Sequence, residues 1–170
     1  MMQGDEMLPV INEEGEFIKL APRKVCHDGK SMLLHPVIHL HILNSDGNLF
    51  LQKRSMNKDI QAGKWDTSVG GHVDPGETRE QALLREAREE AGLVSFTYEL
   101  IKKYLWESER EREMVYSFIT RTDRVPVIDP AEVDDGRYWS IAEIEKNLGK
   151  GIFTPNFEFE YLHVLKGLVY

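Results

Sequence analysis

Three glutamates, Glu86, Glu89 and Glu90, stand one turn apart in the stretch "QALLREAREEAG". At about 100° per residue they share roughly a 100° arc of a single helix face. Carboxylates this close repel one another, and i, i+4 like-charge pairs weaken a bare helix. A divalent cation removes the repulsion, and hard oxygen ligands on a rigid face suit Mg²⁺ or Mn²⁺ better than zinc. Such an ion also binds substrate phosphates and acidifies an attacking water. The competing reading is a solvent-facing helix with Glu–Arg pairs, since Arg85 and Arg88 lie in the same stretch and Arg79 just before it. Taken alone, the helix favours that competing reading.

Its flanks reverse the order. Gly71, five residues, Glu77, seven residues and then "REAREEAGL" from Arg85 to Leu93 match a long pattern. The segment resembles the Nudix box, G-x5-E-x7-R-E-U-x-E-E-x-G-U, where U is a bulky aliphatic. Every charged and glycine position agrees, and only Ala87 is smaller than its usual counterpart. The resemblance implies an α/β/α sandwich with a mixed β-sheet and a loop–helix–loop metal site. It implies cleavage of a diphosphate linkage, mostly in a nucleoside diphosphate derivative, with Mg²⁺ or Mn²⁺. Carried over, Glu86, Glu89 and Glu90 are metal ligands or, for one of them, a general base, with Glu89 and Glu90 ranked first as ligands. The Gly70 carbonyl is a further ligand, and Arg85 and Glu77 orient the carboxylates or form plain structural ion pairs.

A second resemblance runs over most of the chain. The order of features, from "PVINEEGEFIKL" through "GKWDTSVGGHVDPGE" to "EREMVYSF", is similar to isopentenyl diphosphate isomerase and its hydrolase-like relatives. By this match His27, His35, His72, Glu111 and Glu113 fall near the isomerase metal ligands or acid group. The His27-to-His35 spacing is one residue longer than in the isomerases. Gly70 stands where the isomerase carries the cysteine that moves a proton on carbon, and the sole cysteine, Cys26, lies well upstream. An intact box without that cysteine points to hydrolysis, with isomerisation as the alternative and a non-catalytic ligand-sensing domain behind both.

For His27 an ordinary surface or core role is expected. His35 and His72 are evenly placed between ligand and structural roles, and His72 lies within the box. His39 and His41 share a strand face and either line a pocket or lie under a helix. Trp65 is expected to be structural. Glu113 is the better catalytic candidate of the Glu111–Glu113 pair, against an exposed charge run. Lys53 and Arg54 end a strand, where they meet phosphate or solvent.

The elements that must position these residues are legible in outline. "LPVIN" and "EFIKL" flank a turn at Glu13-Glu14-Gly15, and "HPVIHLHIL" and "NLFLQKR" flank "NSDG", both hairpin patterns. In the longer strand Ile38, Leu40 and Ile42 share one face, and Val37, His39, His41 and Leu43 the other. Thr78 and Gln81 form a capping box, and Gly92 suits the left-handed end of the box helix. Leu84, Ala87 and Ala91 are read as its packing stripe. "FTYELIKKYLW", "MVYSFITRT" and "GRYWS" read as further strands, "SIAEIEKNLGK" as a short helix ended at Gly149, and Thr154-Pro155 as the start of a last helix. Strands with interspersed helices give a mixed α/β or α+β chain, read as one domain over 1–170.

Composition sets outer bounds. The chain has 170 residues and a formal net charge of −8, which argues against binding a nucleic acid polymer. That charge favours a diphosphate ligand only if a metal offsets it. One cysteine excludes an internal disulfide framework and fits a reducing compartment, so a cytoplasmic protein is expected. The start "MMQGDEMLPV" lacks a signal-peptide pattern, and no apolar run approaches membrane-spanning length. The expected partner is a small-molecule diphosphate, with no membrane and a possible homodimer.

Overall fold

The computed structural model describes residues 6–58 and 60–169. The reading of the first five residues therefore lies outside the described part. The expected first hairpin forms a small two-stranded antiparallel sheet, β1 (Met7–Ile11) with β2 (Phe17–Pro22). A four-residue helix, α1 (Arg23–Cys26), follows it and has no sequence signal of its own.

The larger sheet has seven strands. They are β3 (Leu34–Leu43), β4 (Leu49–Arg54), β5 (Trp65–Asp66), β6 (Val69–His72), β7 (Glu99–Glu107), β8 (Arg112–Arg121) and β9 (Val133–Trp139). The main path is β5-β4-β3-β8-β7, with β6 paired to β3 and β9 to β4. β3 and β8 run parallel over their full length, from Leu34↔Arg112 to Leu43↔Arg121, while the other pairs are antiparallel. The sheet is therefore mixed.

Helices cover both faces. The box helix α2 (Arg79–Ala91) packs on the face carrying Ile38, Leu40, Ile42, Met114 and Phe118. The other face carries Leu43, Leu49, Leu51 and Ile119 beneath α3 (Ile141–Asn147) and α4 (Pro155–Glu160), the latter continuing into a π-helical turn over Tyr161–Leu165. This is the expected α/β/α sandwich.

Caps follow the sequence. Thr78 and Gln81 bond reciprocally at the start of α2, and Gly92 ends it at φ 65°. Ser140 and Glu143 make a second capping box, and Thr154 caps α4 ahead of Pro155.

Two expectations need correction. The packing stripe of α2 is Ala82, Leu83, Ala87 and Ala91, whereas Leu84 is 43% exposed. Counting about 100° per residue, Leu83 falls between Ala82 and Ala87 on one arc, and Leu84 lies beyond its edge. The strand read from Phe96 begins only at Glu99, because Ser95 takes a left-handed φ of 53° and Phe96 packs against the core. Among the described residues no helix is long and apolar enough to cross a membrane.

Candidate active site and metal centres

The arc of α2 that buries Ala82, Leu83, Ala87 and Ala91 also contains positions 86 and 90. Glu86 and Glu90 are therefore aimed at the sheet, while Glu89 projects outward with its side chain 53% exposed. Glu86 fits because residue 71 is glycine: a Cβ there would stand 2.6 Å from Glu86 Oε1. Glu90 Oε1 accepts hydrogen bonds from Gly70 N–H (3.1 Å) and Gln52 Nε2 (3.0 Å). In an antiparallel ladder the N–H and C=O of one residue point the same way. The Gly70 carbonyl thus faces the α2 carboxylates rather than β3, which is where a ligand role would need it.

Arg85 joins loop to helix. Its Nε and Nη2 form a fork with Glu77 (2.9 and 3.0 Å), Nη1 bonds Glu86 (2.6 Å), and Nη2 reaches the His72 carbonyl (3.0 Å). Glu89 lies 3.5 Å from Nη1. The guanidinium holds the Glu77 carboxyl below its ordinary range. Burial pushes the carboxyl of Glu90 up to about 8, and the adjacent Glu86 charge adds to the shift. Burial likewise raises Glu86. Two buried carboxyls with raised pKa beside a backbone carbonyl fit a hard divalent cation, which would favour their charged forms.

A second group gathers on the other side of β6. His27, His35 and His72 have ring centroids 5.2–5.5 Å apart. Their ligating atoms lie within 4.8 Å of one another, as do those of His35, Glu111 and Glu113. His35 Nδ1 is fixed by the Leu33 carbonyl at 2.9 Å, turning Nε2 inward. His27 Nε2 lies 2.9 Å from Glu111 Oε2 without hydrogen-bond alignment, and both it and His35 Nε2 are buried without a hydrogen-bond partner. Converging, unsatisfied imidazole nitrogens of this kind fit a cation. Burial depresses His35, and depresses His72 strongly with help from neighbouring positive groups, which favours the neutral form that ligates. Burial pushes Glu113 up to about 8, reinforced by Glu111. Nitrogen and carboxylate donors together suit Mn²⁺ or another transition metal.

His27 is thus not the ordinary residue expected from its spacing. It directly follows α1, and the loop after it takes up the extra residue by folding on Asp28, whose Oδ1 accepts from Lys30 N–H (2.7 Å) and Ser31 N–H (2.8 Å). Nor do Glu111 and Glu113 form an exposed charge run; their side chains are 16% and 12% exposed.

A third polar group has no counterpart in the sequence motifs. His39 and His41 lie under α4 and both bond Glu160, His39 through Nδ1 at 2.9 Å. Ser117 and Tyr104 also bond this carboxylate, and Asn156 Nδ2 donates to the Tyr104 hydroxyl at 3.0 Å. Glu160 is fully buried; burial alone would raise it, but the His39 and His41 partners hold it well below the ordinary range. Burial opposes charge on His39, yet Glu160 outweighs it and lifts the ring to about 9. The sequence signal for this group was the His39–His41 alternation; its partner 119 residues from His41 had none.

Arg54 bonds the Ile60 carbonyl (3.0 Å) and lies 3.5 Å from Asp66, and its charge reaches both Glu111 and Glu113. Lys53 pairs in register with Trp65 and Asp135. Trp65 stacks edge-on against Trp139 at 5.2 Å within the second core, as a structural residue does. Cys26 is buried with Leu8, Val10 and Ala21, directly before His27.

The model of the NUDIX domain matches residues 33–157. An uncharacterized Nudix hydrolase of Listeria monocytogenes is 34% identical over 135 residues, covering 78% of this chain and 79% of that protein. Isopentenyl-diphosphate Delta-isomerase 2 of Photorhabdus laumondii is 30% identical over 175 residues, covering 98% and 94%. Among solved structures, DR0079 of Deinococcus radiodurans superposes with a TM-score of 0.74 at 23% identity, over 88% of this chain and 92% of that one, a likeness of fold.

Proposed function

Because the chain belongs to the Nudix family, we propose that it is a Mg²⁺- or Mn²⁺-dependent hydrolase of a diphosphate linkage in a nucleoside diphosphate derivative. The observation that carries this reading is the meeting of Glu86, Glu90 and the Gly70 backbone in the space left by Gly71. Glu86, Glu90, the Gly70 carbonyl and, from the helix edge, Glu89 would hold the ion. A bound divalent ion would neutralise the diphosphate and lower the pKa of an attacking water. Arg85 positions Glu86 and, through Glu77 and the His72 carbonyl, fixes the loop to the helix. Glu113, buried and raised to about 8, is a proton acceptor matched to neutral pH. His35, His72, Glu111 and His27 would hold a second ion beside it.

The test is a screen of nucleotide sugars, dinucleoside polyphosphates, dinucleotide cofactors, oxidised nucleotides and prenyl diphosphates, with Mg²⁺, Mn²⁺ or chelator. Metal-dependent release of phosphate products from a nucleotide supports the reading. No turnover of any nucleotide sinks it.

One observation favours a second reading. The assembled His27–His35–His72–Glu111–Glu113 group matches the residues carried over from the isomerases. Isomerisation adds a proton to one carbon and removes one from another, so it needs two placed proton-transfer groups. Glycine at position 70 has no side chain to serve as one of them. Incubation with isopentenyl diphosphate and Mn²⁺ decides: formation of the dimethylallyl isomer at an enzymatic rate favours the isomerase.

A further inference from the structure

His39 is anchored on one edge and uncovered on the other. Nδ1 bonds Glu160, which His41, Ser117 and Tyr104 hold in turn. The opposite edge faces Gly70 across the β3–β6 pair, where a Cβ would stand 3.5 Å from Cδ2 and 3.9 Å from Nε2. Nε2 makes no hydrogen bond among the described residues and is not sealed from solvent, the His39 side chain remaining 11% exposed.

By strand parity the same sheet face carries His35, Glu113 and the Cα–H side of Gly70. The Gly70 carbonyl meanwhile points to the α2 carboxylates. In the hydrolase reading a diphosphate bound through an ion at those carboxylates would lie beside Gly70, whose other neighbour is the Cδ2–Nε2 edge of His39.

We propose that His39 is a further catalytic residue of the hydrolase reading, on which this inference rests: its Nε2–H donates a hydrogen bond through the opening at Gly70 to a non-bridging oxygen of the departing phosphate. Glu160 is the positioning residue that fixes the ring. The bond is worth most as the P–O bond breaks and charge collects on the departing oxygens. No proton changes hands: Nδ1–H donates to the Glu160 carboxylate, so the donating Nε2–H is the second proton of an imidazolium paired with that buried carboxylate. Residue 70 is glycine, on this account, to give the substrate access to the imidazole.

Two experiments separate this inference from the reading beneath it. The first needs no turnover. With ¹⁵N-labelled histidine in the full chain, inorganic pyrophosphate plus Mg²⁺ is titrated while the His39 Nε2 resonance, assigned by its loss in His39→Gln, is followed. We expect the resonance to move in wild type and to be blunted in Gly70→Ala, whose methyl makes only ordinary van der Waals contact with the ring. A resonance that stays still up to millimolar pyrophosphate, whether or not others move, overturns the proposal. The second takes whichever nucleotide the screen identifies. His39→Gln and Gly70→Ala should each lower kcat about 100-fold with KM changed much less. Wild-type rates in both variants overturn the role of His39 while leaving the hydrolase reading intact. A wild-type enzyme that cleaves no nucleotide sinks that reading, and the pyrophosphate titration still judges His39.

Discussion

The Glu86 carboxylate occupies the space that a side chain on Gly71 would take. Strand and helix are fitted to one another at this point, and the glycine is there for room: its φ does not require it. Gly71→Ala should push the carboxylate aside and weaken Mg²⁺ binding by about 10- to 100-fold. Isothermal titration with Mg²⁺ reads the affinity, and circular dichroism should show the fold retained. Unchanged affinity would mean that Glu86 holds no ion.

Glu90→Gln keeps the shape and the bonds that an amide oxygen can still accept from Gly70 and Gln52. It removes a buried charge. Turnover should fall by at least about 100-fold, an effect comparable to losing one preorganised charge-stabilising group. The metal-free variant should also melt above the metal-free wild type. Wild-type turnover at ordinary Mg²⁺ concentrations would remove Glu90 from the site.

The perturbed groups set a pH dependence for the metal-free protein. Glu90 and Glu113 are raised from 4.5 to about 8, so above pH 4.5 the folded state holds protons that the unfolded chain has released. Stability therefore falls as pH climbs toward 8. His39, raised from 6.5 to about 9, acts in the same direction above pH 6.5. His35 and His72, lowered from 6.5, act in the opposite direction, but only below that value. From about pH 6.5 to 9 every contribution has one sign, and Tm in chelator should drop by at least about 5 °C. Mg²⁺ should restore much of it in wild type and less in Glu86→Gln/Glu90→Gln. Equal Mg²⁺ gains in both proteins would refute the repulsion argument.

The two candidate metal groups, Glu86–Glu90 and His27–His35–His72, should load separately. Wild type should bind two Mn²⁺ per chain, and His35→Asn one, by equilibrium dialysis with metal analysis. Electron paramagnetic resonance should show the retained ion in an all-oxygen setting. Two ions retained by His35→Asn would count against the histidine centre.

Glu160→Gln leaves His39, His41 and Tyr104 around a neutral amide. Breaking a buried charged group from its partners should cost about 3 kcal/mol, read from urea unfolding at neutral pH. A loss below about 1 kcal/mol would place Glu160 among ordinary surface pairs.

The box was legible because it is local: its candidate ligands, cap and closing glycine lie between Gly70 and Gly92. The strand faces of β3 were legible because alternation is a strong signal over ten residues. What escaped was non-local or too short to carry a period. The four residues of α1, which deliver His27, have no room for a helical pattern. Glu160 reads as one more acid in "NFEFEYL", and only the packing of α4 over β3 brings it to His39. Leu84 was misplaced because neighbours at 83 and 84 differ by a single step around the helix, and an apolar pattern alone does not choose between them.

The parity of β3 has a last consequence. Its even-numbered residues build the oily interior beneath α2, and its odd-numbered ones present His35, His39 and His41 to the opposite side. One inserted or deleted residue within the strand would exchange the two sets, sending imidazoles into hydrocarbon and isoleucines among the polar partners of His35, His39 and His41. Length changes are therefore confined to the segments before Leu34 and after Arg54, where indels leave the alternation untouched. Inside β3 only point changes preserve it.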